Sequence, residues 1–371
     1  MNTLYVPTPR HFSFIKDGDY VYNFRLLDMA RYTDSLRMVA ARSLSLDVRT
    51  YSRLALSSMR RRYKIRVPRK WSWQLSQYFC LPGGDAGMFE TDAVLAYERY
   101  PINAKVPVIW ITGPTEIPKL KSRGLSDAAI NEEIMFKREA SSLAAATVLT
   151  TRHKQRLFDE VIRPQKPTCV IPFFLPIESA PRHRVEEKWS NVETLRLVFI
   201  GRAAHRKGLP LVLDAFRKLI KTHPGRFSLL VVSSLSDGHI DIPAMPGLRH
   251  EREVSHARAI ELMAQAHYLL MPSVLESYGW VYTEAMAQGT IPLATDQPVQ
   301  RDLLDDGRAG LLVERDADEI ASAISQGVLD VDGARSLAFR GYALWHAKYA
   351  PEVVAARFAE LAKATKAVGV M

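Results

Sequence analysis

Cysteine is almost absent from the 371-residue chain: Cys80 and Cys169 are the two. One pair makes no disulfide framework, and their separation has no metal-ligand spacing. That usage fits a reducing cytoplasm. Long apolar runs are missing too. Stretches such as Val106–Thr112 and Leu195–Ile200 fall far short of the roughly 18–20 residues that span a bilayer. The opening residues MNTLYVPTPR hold no apolar stretch preceded by positive charge, so no signal peptide is expected. Low-complexity tracts and internal repeats are lacking as well. These absences argue against a secreted disulfide scaffold, a bundle of transmembrane helices and a repeat array.

The chain is longer than one hydrophobic core usually fills, which predicts two domains. Its charge is uneven. Residues 1–185 carry 29 Lys and Arg against 17 Asp and Glu, a net +12. Residues 186–371 carry 21 against 23, a net −2. An acidic partner for the first half is the natural reading: anionic lipid, a phosphorylated acceptor or nucleic acid.

The second half alternates between short apolar runs and amphipathic stretches. Leu195–Gly201, Phe227–Val232, His267–Met271 and Ile291–Ala294 read as buried parallel strands. Lys207–Thr222, Ala257–Ala266, Gly279–Gln288 and Ala317–Gly327 read as helices between them. This is the pattern of a doubly wound α/β domain. In the first half, Leu4–Val6, Arg37–Arg42, Ala93–Ala96, Val106–Ile111, Ala146–Leu149 and Thr168–Ile171 read as strands of a second α/β domain, with a helix at Asp127–Leu143. The expected boundaries are a first domain at 1–176, a proline- and charge-rich linker at 177–190 and a second domain at 191–350. A final helix spans 351–371, its apolar face packing back towards the first domain.

Two constellations carry chemistry. In the first, Gly201-Arg202 ends a strand and Lys207-Gly208 enters a helix. Arginine forks onto phosphate oxygens, lysine adds a point charge and a helix N-terminus adds N–H groups, a combination suited to a diphosphate. A solvated basic loop is the plain alternative. In the second, Pro272 to Gly279 forms a polar loop before a helix, with Glu276 ahead of that helix and Glu284 inside it. At ~1.5 Å rise per residue the carboxylates lie on the order of 10 Å apart. That separation suits a ligand with hydroxyls at both ends and a diphosphate between. Two unrelated surface glutamates are the alternative here.

The stretches VFIGRAAHRKGLPLVLDAF, MPSVLESYGWVYTEAMAQGTIPLAT and DLLDDGRAGLLVERDADEIASAI lie in order across residues 195–327. Together they resemble the retaining glycosyltransferases of family four, glycosyl transferases group 1. The resemblance implies a GT-B fold, α/β with two Rossmann-like domains and a cleft between them. It also implies transfer, with retention, of a hexose-type sugar from a nucleotide-diphosphate donor, without a metal or other cofactor. By position, Arg202 and Lys207 would bind the donor diphosphate together with Gly201. Glu276 would hold the sugar at the reaction centre and Glu284 the ribose, while backbone groups of Tyr278, Gly279 and Trp280 would approach the phosphates. The acceptor would be a glycan or lipid-linked molecule, the setting bacterial cell-surface polysaccharide synthesis. A non-catalytic GT-B scaffold that binds nucleotide or glycan is the alternative.

The first half departs from the family. Pro7-Thr8-Pro9-Arg10-His11 stands where a glycine-rich loop is usual, and no histidine follows Val106–Ile111. Gly113, Thr115 and Glu116 are acceptor-side candidates because they follow the C-terminal end of a strand. Asp17-Gly18-Asp19 reads as a turn rather than a metal site. Arg60, Arg61, Arg62, Lys64, Arg66, Arg69 and Lys70 form a run without an acid, followed by Trp71 and Trp73. Cations beside indoles suit an anionic membrane surface, and the family resemblance, whose members often glycosylate lipid-linked acceptors at the cytoplasmic face, implies a cytoplasmic protein peripheral to the inner face of the membrane. An exposed loop and a nucleic-acid contact are the other readings, but no known nucleic-acid module accompanies the run.

Overall fold

The computed structural model describes residues 2–8, 28–34, 36–42, 93–97, 107–122, 124–234, 240–252 and 254–368. The chain divides into two compact units, Met1–Pro176 with Pro351–Met371, and Ile177–Ala350. The Asp17-Gly18-Asp19 turn, Cys80 and the basic segment 60–73 lie outside the described residues.

The first unit holds a parallel sheet of β1 (Asn2–Thr8), β2 (Leu36–Arg42), β3 (Ala93–Tyr97), β4 (Val108–Ile111), β5 (Ala146–Leu149) and β6 (Thr168–Val170), in the order β2-β1-β3-β4-β5-β6. Its helices include α1 (Ile117–Ser122), α2 (Asp127–Leu143) and α3 (Arg152–Ile162). Hydroxyl caps set two of their starts. Ser126 accepts from the Ala129 N–H and Thr151 from the Lys154 N–H, each at 3.2 Å, satisfying donors the helices leave open. Trp110 of β4 anchors the core, edge-on to Phe158 and Phe136 with ring centroids 6.2 and 6.3 Å apart.

The second unit is the Ile177–Ala350 segment. It begins with α4 (Arg182–Lys188), then alternates β7 (Leu195–Ile200), α5 (Leu209–Thr222), β8 (Phe227–Val232), β9 (Leu248–Glu251), α6 (His256–Gln265), β10 (Tyr268–Met271), α7 (Trp280–Ala287), β11 (Ile291–Thr295), α8 (Pro298–Leu303), β12 (Leu311–Val313), α9 (Ala317–Leu329) and α10 (Val331–Leu344). The sheet is parallel throughout, in the order β12-β11-β10-β7-β8-β9. Read from β9, this is the Rossmann order, and its direction reverses between β7 and β10. Helix α5 buries one stripe, Leu209, Val212, Leu213, Ala215, Phe216 and Leu219, whereas α7 is buried at every position from Tyr282 to Ala287.

Residues 177–190 are built into this unit rather than forming a free linker. Trp189 donates its indole N–H to the Gly289 carbonyl at 3.0 Å. Lys188 Nζ donates to the Gln288 carbonyl at 2.8 Å and to Thr290 Oγ1 at 2.9 Å. Burial, then the Arg196 charge, push the Lys188 ammonium well below its usual range. Beside it, His267 takes the Arg196 N–H on Nδ1 at 2.9 Å and faces the Lys188 carbonyl with Nε2 at 2.9 Å. Burial holds this histidine neutral, down to about 3, with the Arg196 charge second.

The closing helix α11 (Pro351–Val368) belongs to the first unit, where it packs on β1 and β3. Its buried stripe is Val354, Ala355, Phe358, Ala359 and Ala362. Arg357 donates to the Val170 carbonyl at 2.5 Å.

Candidate active site

In a doubly wound sheet, ligands bind outside the carboxyl ends of the strands where the strand order reverses. In the second unit that point lies beyond β7 and β10. The loops leaving these two strands are the two constellations, 201–208 and 272–279.

The loops are fastened to each other. Gly208 caps α5 with φ +85, and a Cβ there would lie 2.3 Å from the Pro272 carbonyl oxygen. Only glycine allows both the left-handed backbone and that approach. The Val274 N–H donates to the Arg206 carbonyl at 2.8 Å. Four successive carbonyls of the second loop are then held by side chains from four places. Arg315 donates to Pro272 at 3.2 Å, Thr295 to Ser273 at 2.8 Å, Gln297 to Val274 at 2.9 Å and Arg206 to Leu275 at 3.2 Å. The loop carrying Glu276 is therefore fixed before any ligand arrives.

Lys207 Nζ bonds directly to Glu276 Oε1, which also accepts from Ser273 Oγ at 3.2 Å and lies 4.0 Å from Arg206 Nη1. Both side chains of the central pair are largely buried, 16% and 7% exposed. Burial, and secondarily the Arg206 charge, push the Lys207 ammonium down to about 8. The facing carboxylate acts the other way, favouring the charged amine. Gly201 follows β7 and donates its N–H to the Val232 carbonyl at 3.0 Å. Arg202 is exposed on the same loop.

Tyr278 is buried just before α7, and Trp280 is the first residue of that helix. Gly279 caps it with φ +88, and the ring of Tyr282 lies where its Cβ would be, 2.5 Å away. The helix's own aromatic thus demands glycine here. Tyr282 in turn donates to the Met271 carbonyl at 2.9 Å, and burial raises its phenol above the usual range. Glu284, buried within α7, accepts from His256 Nε2 at 2.8 Å.

In the first unit, Thr112 to Glu116 follow β4. Lys137 of α2 donates to the Gly113 carbonyl at 2.8 Å and lies 3.3 Å from Glu133, which accepts from Thr115 Oγ1 at 3.4 Å. Gly113 and Thr115 are thereby tied to α2, while Glu116 is half-buried. Among the described residues, no group of three or more His, Cys, Asp or Glu is placed to hold a metal ion.

Two contributors, Arg206 and His256, escaped the sequence reading. Arg206 adjoins Lys207, but its partners lie in the other loop. His256 stands 28 residues before its carboxylate, on another helix.

A parallel sheet in Rossmann order, with a basic loop and a buried Lys–Glu pair at its switch point, has the architecture of a glycosyltransferase α/β domain. Residues 194–330 match the family model of glycosyl transferases group 1. The second unit belongs to that family, and the chain has the GT-B fold. The phosphatidyl-myo-inositol mannosyltransferase of Mycobacterium tuberculosis is 34% identical over 146 residues, 36% of this chain and 37% of the relative. The matched region thus spans little more than a third of that curated relative. Sucrose-phosphate synthase from Thermosynechococcus elongatus aligns over 99% of this chain and 100% of its own with a TM-score of 0.65 and 14% identity. Anabaena HepE, in complex with UDP and glucose, aligns over 98% and 100% with a TM-score of 0.61 and 15% identity. At these identities the two solved structures speak to the fold.

Proposed function

We propose that the protein is a retaining glycosyltransferase that moves a hexose-type sugar from a nucleoside-diphosphate donor to a glycan or lipid-linked acceptor. The observation that carries this reading is the meeting of Lys207, Arg206 and Glu276 at the switch point of the group 1 domain. In the reaction, the bond from the sugar's anomeric carbon to the diphosphate oxygen breaks. The acceptor oxygen bonds to that carbon on the same face, and its proton passes to the departing phosphate. Negative charge grows on the diphosphate as the bond breaks. Lys207 and Arg202, with Arg206 beside them, stabilise that charge as preorganised cations, and no metal is required. Glu276 binds hydroxyls of the sugar and Glu284 the ribose. Backbone groups of Gly201, Tyr278, Gly279 and Trp280 line the phosphates.

Acceptor recognition falls to the first unit, with Gly113, Thr115 and Glu116 as its candidates. A lipid-linked acceptor accords with the net +12 of residues 1–185 and with a peripheral position at the inner membrane face. The mannosyltransferase relative, whose name carries a phosphatidylinositol, supports a lipid-linked acceptor.

The first test is a thermal-shift screen against nucleoside diphosphates without metal. A ligand at ~100 times its dissociation constant adds about 2.7 kcal/mol of stability. One diphosphate should stabilise the protein, and Arg202→Ala should remove the effect. Glu276→Ala should abolish sugar transfer in a protein that still folds, with a lowered melting temperature because the buried Lys207 loses its partner. Stabilisation by no diphosphate would move the non-catalytic scaffold to the front.

A further inference from the structure

Glu284 is chemically out of place in its helix. Every other residue from Tyr282 to Ala287 in α7 is a buried aromatic, small or apolar side chain or the buried Thr283, and Glu284 is buried with them, its side chain 9% exposed. A carboxylate in such surroundings is costly unless it is paired and hydrogen-bonded. The pair it has is His256, at 2.8 Å through Nε2 to Oε1. His256 opens α6, just past the Ser255 cap, which accepts from the Arg258 N–H at 3.2 Å. Its imidazole is 52% exposed, so the pair runs from the buried helix out to the solvent side of the unit. The cap fixes the start of α6, and the start of α6 fixes the imidazole. Five residues separate Glu284 from Gly279, about 7.5 Å along the axis at ~1.5 Å per residue. That span is comparable to the reach from a diphosphate to the ribose hydroxyls of the same nucleotide.

We propose that His256 is a positioning residue for the nucleoside of the donor. Its imidazole holds one oxygen of Glu284, and so sets the plane in which the carboxylate accepts hydrogen bonds from the ribose. This rests on the donor-site reading above. It adds a residue from a different helix, whose effect is confined to the ribose and leaves the diphosphate contacts of Lys207 and Arg202 untouched.

The test is calorimetric titration of the full chain with UDP, GDP, ADP, CDP and dTDP, and with inorganic pyrophosphate, which has no ribose. For the nucleotide that wild type binds, His256→Ala should weaken affinity about tenfold, the order expected for a lost hydrogen bond to a charged group. Pyrophosphate affinity should stay within about twofold, and His256→Gln, which returns an N–H donor, should recover most of the loss. With sugar donor, KM should rise while kcat holds. Equal losses for nucleotide and pyrophosphate would mean a general disturbance of the fold and overturn the proposal, as would unchanged nucleotide affinity. If His256→Ala does not fold, wild-type nucleotide affinity together with wild-type KM in His256→Gln supports the proposal, and a tenfold loss there overturns it. Failure of wild type to bind any of the five nucleotides would instead overturn the donor-site reading, and this inference with it.

Discussion

Lys207 shows how one residue couples the site to pH. Burial and the nearby Arg206 lower its ammonium to about 8, against a usual value of 10.5. Between those values the unfolded chain holds a proton that the folded chain has released, so folding stability should rise with pH across that window. Binding should respond in the opposite sense. An anionic diphosphate needs the lysine charged, so donor affinity should fall as pH climbs through about 8. Titrating the stabilising nucleotide from pH 7 to 10 checks this, with the ligand-free melting temperature recorded alongside. Lys207→Arg should flatten the alkaline fall, because a guanidinium stays charged throughout. An affinity independent of pH in wild type would mean that Lys207 does not meet the phosphates.

The elements around the site depend on two close approaches, and the Gly208 turn is the one open to a controlled test. Alanine at a left-handed position costs roughly 1–2 kcal/mol in backbone strain alone. At Gly208 the added Cβ would also meet the Pro272 carbonyl at 2.3 Å, so one of the two loops must shift. Gly208→Ala should therefore lower the melting temperature and also abolish donor binding, since the displaced loop carries Arg206 and Lys207. Gly225, at φ +76 with nothing within 4 Å of its Cβ, is the control. Gly225→Ala should show the strain and keep the donor. The same elements mark the limits of sequence reading. β7, β8, β10 and β11 are short apolar runs between amphipathic helices, and that alternation located them. β9 (LRHE) and β12 (LLV) were missed, one too polar and the other too short to display a period. The charged segment RHRVEEK looked like linker, because nothing local reveals that Lys188 and Trp189 find carbonyls a hundred residues away. Likewise Glu276 and Glu284 stood out in one contiguous motif, whereas Arg206 and His256 have partners that only the folded loops and helices bring near.

At the scale of the molecule, the charge asymmetry asks for a partner. The group 1 domain carries the proposed donor-site residues yet lies in the near-neutral half, while the net +12 belongs to residues 1–185. Seven of those cations are concentrated between Arg60 and Lys70. No helix among the described residues is long and apolar enough to cross a membrane. Each Lys or Arg near an anionic leaflet contributes about 1 kcal/mol. Replacing Arg60, Arg61 and Arg62 with Ser should thus cost about 3 kcal/mol, roughly a hundredfold in partition onto vesicles containing phosphatidylglycerol. The effect should shrink as salt shortens the screening length, and binding to neutral vesicles should not change. Nucleotide affinity should also be unaltered, which separates a docking defect from a folding defect. If the triple variant partitions like wild type, the segment is an ordinary solvated face. If it instead loses salt-dependent binding to duplex or single-stranded nucleic acid while vesicle binding persists, the acidic partner of the first half is a polynucleotide rather than a lipid surface.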